Sequence, residues 1–120
     1  VMGLRERLRD FARTPIEEQA DDLREQSHDE GGDDLTALAP RHPACVCGTV
    51  RTVTLPPRRS VPALVAEVWD GKGTVNLVWV GRRAIGGIEP GTFVRARGRV
   101  AVTKGVPTIF NPSYEIIPKQ

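Results

Sequence analysis

The sequence predicts an all-β small barrel of five strands with an acidic α-helical N-terminal extension. Three observations predict it. The charge divides near residue 40: residues 1–39 hold five arginines against eleven acids, a net −6, and residues 40–120 hold twelve Arg and Lys against four acids, a net +8. The second part is built of β-branched, alternating segments separated by Gly and Pro turns, the mark of short strands. The first part has helix-start residues and acids instead. A leader and linker over 1–40 and a barrel over 41–120 are therefore expected.

The leader comes first. Leu4, Leu8 and Phe11 recur at helical spacing, which predicts a short helix over 3–12. Thr14 can cap a second helix, Pro15 fits its first position, and Glu17 sits where a capping box needs its acid. That helix is expected over 15–26, with a narrow apolar stripe of Ile16, Ala20 and Leu23, too weak to stand alone. Asp29 to Asp34, with Gly31-Gly32, reads as a solvated acidic linker. It lacks the oxygen spacing of a calcium loop. Leu35 and Leu38 begin the return to the folded part, which Pro40 and Pro43 punctuate.

Residues 45–55 read as the first strand. Pro56-Pro57-Arg58-Arg59-Ser60 is a loop with a basic tip. The second strand, 61–69, puts Leu64, Ala66 and Val68 on one face and Val65, Glu67 and Trp69 on the other. Asp70-Gly71-Lys72-Gly73 is a turn, and 74–80 returns. Trp79 shares the parity of Val75 and Leu77 and is expected in the core. A connector follows, with Arg82-Arg83 exposed on it. The fourth strand has Val94, Ala96, Gly98, Val100 and Val102 on one face and Arg95, Arg97 and Arg99 on the other. Val106 to Phe110 is the fifth; Asn111-Pro112-Ser113 bends the chain, and Tyr114 to Ile117 continues the edge. Five strands of this length curl into an OB-fold, and the long central hairpin and the connector favour it over an SH3-like barrel.

Several function classes are set aside. The longest apolar runs fall far short of the roughly 20 residues of a membrane span, so no membrane partner is expected. No apolar stretch follows a basic start, and a cytoplasmic location is expected. Val1 before Met2 fits a tagged or trimmed start. The histidines, His28 and His42, lie outside the strands, and no Ser-His-Asp grouping or carboxylate pair falls within them, so no catalytic residue is assigned. Cys45 and Cys47 point the same way on a strand, which makes a disulfide awkward. With His42 they form a single cluster, where structural zinc wants paired clusters. No metal and no cofactor are expected.

The ordered set of Asp70-Gly71-x-Gly73, Trp79, Gly81, Pro90-Gly91, Gly98-x-Val100 and Asn111-Pro112-x-Tyr114-Glu115 resembles the OB-fold nucleic-acid-binding superfamily over residues 45–118. It is most similar to the wedge-type OB domain of RecG-like helicases and to small stand-alone OB proteins of actinobacteria. No Gly-x-x-x-x-Gly-Lys-Ser/Thr motor motif accompanies it. The resemblance implies ligand contact through the faces of strands two and three and the flanking loops. On this chain those are Val65, Glu67, Trp69, Asn76 and Val78, with the loops around Arg58-Arg59 and Arg82-Arg83. The expected nucleic-acid-binding set is thus Arg58, Arg59, Trp69, Asn76, Arg82, Arg83, Arg95, Arg97 and Arg99.

Stacking supplies roughly 1–3 kcal/mol per base in single-strand binders. Only Trp69 is expected as a platform; Phe93 starts the arginine strand, and Phe110 and Tyr114 fall near the barrel end. Glu67 would repel phosphate. The expected function is therefore a non-enzymatic module that binds single-stranded or structured nucleic acid weakly. The alternative is a protein-interaction or scaffold module, whose basic face docks an acidic partner or its own leader.

Overall fold

The computed structural model describes residues 15–57 and 61–118. The helix expected over 3–12, the Thr14 cap and the Arg58-Arg59 loop tip lie outside the described residues.

Pro15 opens helix α1 (Pro15–Asp29), where its missing N–H costs nothing, and Glu17 and Glu18 sit at the positive end of the helix dipole. The helix runs three residues beyond the expected end at 26. Its stop is a left-handed Gly31 (φ 84°). The Gly31 N–H donates to the His28 carbonyl and the Gly32 N–H to the Ser27 carbonyl, which closes the last turn.

The strands are β1 (Pro43–Thr54), β2 (Ala63–Trp69), β3 (Thr74–Val80), β4 (Phe93–Thr103), β5 (Val106–Phe110) and β6 (Ser113–Ile116). The expectation of a five-stranded all-β barrel is corrected. The strands form one six-stranded sheet in the order β1-β2-β3-β5-β4-β6, with a further β1–β4 pairing. The sheet is mixed, because β3 and β5 run parallel while the other pairs are antiparallel. The sixth strand arises at Asn111-Pro112. Val100 pairs with Ile109, but Arg97 pairs with Ser113, so the register along β4 slips by one residue across that bend. Asn111 takes a positive φ (50°) there, and the segment beyond it becomes a strand of its own.

The core follows the alternation. Leu64, Ala66, Val68, Val75, Leu77, Trp79, Val94, Ala96, Val100 and Ile109 are buried together. The Trp79 indole N–H donates to the Pro112 carbonyl, and its ring meets Tyr114 edge-on at 5.5 Å. Leu35, only 2 % exposed, belongs to this same cluster, so the leader contributes to the core of the sheet.

A second, smaller cluster lies on the outer side of the sheet. There Leu23 of α1 covers Cys47 and Phe93, with Cys45, Trp69 and Ile117 packed around them. Asp70 fastens the helix to the hairpin turn. Its buried carboxylate accepts from the N–H groups of Lys72, Gly73 and Leu35 and pairs with the Arg24 guanidinium at 2.7 Å. The adjoining Gly71 has φ 99°, and a Cβ there would stand 2.1 Å from the Ala20 carbonyl oxygen. Only glycine lets α1 lie this close to the turn.

Candidate functional site

On β2, β3 and β5, alternation places Val65, Glu67, Asn76, Val78, Thr108 and Phe110 on the face away from the core; Phe110 is exposed, Val65, Glu67 and Asn76 are half-buried, and Val78 and Thr108 are buried. The pairings bring them together: Val65 faces Val78, Glu67 faces Asn76, and β5 sets Thr108 beside Asn76 and Phe110 beside Val78. A shallow depression of about 380 Å³ opens on this face. Its floor is Ala63, Val65 and Val78, with Asn76 and Thr108 as polar points and Lys104 at the rim. Its lining includes no carboxylate.

Phe110 is 48 % exposed, although most large apolar side chains of this sheet are buried. It also lines a neighbouring depression of about 600 Å³ with Pro40, Arg41, Arg99 and Val102. The ring therefore lines one depression together with a lysine and another together with two arginines. An exposed ring flanked by cations is what base stacking with phosphate contact requires. Phe110 was not among the expected binding residues. The signal was present in Thr108 and Phe110, which flank the inward Ile109. Its place beside β3 depends on the parallel β3–β5 pairing, which local periodicity does not reveal.

The three arginines of β4 share a face but not a state. Arg95 is engaged: its Nε donates to Glu115 at 2.8 Å, and its Nη1 reaches the Glu30 carboxylate at 3.2 Å. The hydrogen bond from Arg95 holds the Glu115 carboxyl below the ordinary glutamate range, and Glu115 in turn raises Arg95. Arg97 is 58 % exposed at its side chain and makes a longer 3.4 Å contact with the same Glu115. Arg99 donates to the Arg41 carbonyl and makes no ion pair among the described residues. Free positive charge on this strand thus grows toward Phe110 and away from the leader.

Trp69 lies elsewhere. It belongs to the cluster under Leu23 of α1. A register slip in β1 between Val50 and Thr52 leaves Arg51 as the extra residue, and its guanidinium sits 4.1 Å over the indole. One side of Trp69 is held by the leader and another by a cation. Asn76 falls within the depression, as the resemblance implied. Arg82 and Arg83 are exposed on the connector just after β3. That end of the sheet is tied by the Gly81 N–H to the Pro62 carbonyl and by the Val80 N–H to Asn111 Oδ1. The structure thus groups Asn76 and Arg99 around Phe110, sets Arg82-Arg83 at the same end of β3, and separates Trp69 and Arg95 from them.

The cysteines serve packing. Cys47 is fully buried beneath α1, and burial first, then the neighbouring Cys45 thiol, pushes its pKa up to about 12. It stays a neutral thiol at physiological pH. Among the described residues no three His, Cys, Asp or Glu side chains come together as a metal site. No helix among them is long and apolar enough to cross a membrane.

The family described as an OB-fold nucleic acid binding domain matches residues 44–117, which is more than half of the chain. No curated protein matches the chain.

Proposed function

The chain belongs to the OB-fold nucleic acid binding domain family, and from that premise we propose that it is a non-enzymatic module that binds single-stranded nucleic acid weakly on the β2–β3–β5 face. The exposed Phe110 between Lys104 and Arg99 is the observation that carries this reading. A base stacks on the ring, and the strand's phosphates follow Arg99, Arg97 and Arg41 on one side and Lys104 on the other. Arg82-Arg83 extend the positive field on the connector after β3. One platform and a few exposed cations make the binding weak, since each base stacked contributes roughly 1–3 kcal/mol.

Salt dependence tests this proposal. Phosphate contacts release counterions, so affinity falls with a slope of about −0.7 per neutralised phosphate on single strands. Fluorescence anisotropy with labelled single and double strands is expected to show single-strand binding at low salt that weakens steeply as salt is added. Flat titrations at low salt contradict the proposal.

A specific observation favours a narrower form of the second reading, in which the leader docks on the basic face. Glu30 neutralises Arg95, and α1 covers the sheet beside it. The leader thereby competes for one arginine of the row and leaves Arg99 accessible. The two roles occupy different parts of the sheet.

A further inference from the structure

We propose that the end of α1 and the turn after it, Ser27 to Asp33, cover a strand-accepting edge of β1 and keep a second copy of the chain from pairing there.

β1 outruns its neighbour on one side. β4 runs beside it from Pro43 to Thr49, but β2 pairs with it only from Thr49 onward. Before Thr49, the side away from β4 has no strand. Alternation decides which backbone groups stand on that side. The His42 carbonyl accepts from the Val100 N–H, and the Val50 N–H donates to the Thr92 carbonyl, so even-numbered residues of β1 turn their backbone groups toward β4. Those of Cys45 and Cys47 turn the other way.

The leader meets them there. The Asp33 N–H donates to the Cys45 carbonyl at 2.7 Å, and the Asp33 carboxylate accepts the Cys45 N–H at 3.0 Å. Ser27 Oγ donates to the Cys47 carbonyl at 3.0 Å. Gly32 lies between them, and a Cβ on it would stand 2.8 Å from the Cys47 Cβ. Two of these three contacts come from side chains, where a strand would use its main chain. The cover also stops at once. Asp34 accepts from the Thr36 N–H and hydroxyl, which turns the chain away, so the ladder is not passed on to a new edge.

An uncovered edge is a template for another chain. This one is complementary to itself. In an antiparallel pairing about a two-fold axis at Val46, Cys45 of either copy faces Cys47 of the other, and both residues present outward N–H and C=O groups. Lifting the turn also uncovers Cys47, which is fully buried. The occupant of the opened edge is therefore a second copy of β1.

Two variants of the full chain lift the cover by different routes. Ser27→Ala/Asp33→Ala removes both side-chain contacts; alanine fits the space of Ser27, and Asp33 is exposed. Gly32→Val instead drives the turn off Cys47 by crowding. Light scattering over roughly a hundredfold range of concentration is expected to show wild type as a monomer throughout, and each folded variant with a mass that doubles as concentration rises. Amide hydrogen exchange at Cys45 and Cys47 in the variants is expected to slow over the same range. Monomeric folded variants, or association that leaves those two amides unprotected, overturn the inference. So does a wild type that dimerises under the same conditions. Loss of folding in both variants makes the turn part of the core rather than a cover, and overturns it as well.

Discussion

Asp70→Ala is expected to destabilise the protein by about 3–5 kcal/mol, the cost of removing one partner of a buried ion pair. The carboxylate gathers three backbone N–H groups and the Arg24 guanidinium into one buried site. Alanine leaves Arg24 without its partner and the Leu35 N–H without an acceptor beside the core. Asp70→Asn keeps an oxygen for the turn N–H groups of Lys72 and Gly73 but loses the charge opposite Arg24, so an intermediate loss is expected. Urea denaturation of the three proteins measures the difference. A loss under about 1 kcal/mol in Asp70→Ala would mean that the leader is not held through this residue.

Phe110→Ala is expected to weaken single-strand binding by about 1–3 kcal/mol, roughly 5- to 150-fold, because it removes the exposed stacking ring of the face. Its effect on stability is expected to be smaller, since nearly half of the ring is already in water. Trp69→Phe serves as the contrast. Trp69 is held between Leu23 and Arg51, so a shortened aromatic there is expected to affect leader packing more than binding. Anisotropy and thermal melting on the same samples separate the two effects. Unchanged affinity in Phe110→Ala removes the ring from the interface.

Much of the fold was legible because alternation is a local property. The inward sets of β2 and β3, that of β4 as far as Val100, the burial of Trp79 and the Asp70–Gly73 turn all follow from parity and turn chemistry; Val102, expected on the same packed face, is exposed because β4 there runs past the core. The sixth strand was not legible as such. Asn111-Pro112 marks a bend, but only the pairing of Ser113–Ile116 with β4 makes the segment beyond it a separate strand. The candidate site divides in the same way. That Arg95, Arg97 and Arg99 share a face was plain in their spacing. That Glu30 and Glu115 claim Arg95 while Arg99 makes no ion pair depends on tertiary contacts between residues far apart in the chain. Trp69 and Phe110 carried equal outward parity within their strands. Which of them the helix covers is decided by the docking of α1 against the Asp70–Gly73 turn.

The charge boundary near residue 40 also gains a physical meaning. It marks a change of composition, while burial runs across it: Leu23, Ser27 and Leu35 are buried against the sheet. Ser27 donates to the Cys47 carbonyl at 3.0 Å, and Arg24 closes the Asp70 site. Leu23 of α1 packs in the cluster that holds Trp69, Glu30 just beyond the helix pairs with Arg95, and Arg41, Arg99 and Lys104 line the depressions at Phe110. This separates a surface used for folding from a surface available to a ligand.

On the proposed function, the β2–β3–β5 face around Phe110 is the ligand surface. Chemical-shift mapping of the isotopically labelled protein during titration with a short single-stranded oligonucleotide tests it most directly. The perturbed amides are expected to cluster at Val65, Asn76, Val78, Lys104, Thr108 and Phe110, with Arg99 at the margin and α1 unchanged. Perturbations confined to α1 and the Trp69 region, or none at a concentration where wild type is saturated, would contradict it.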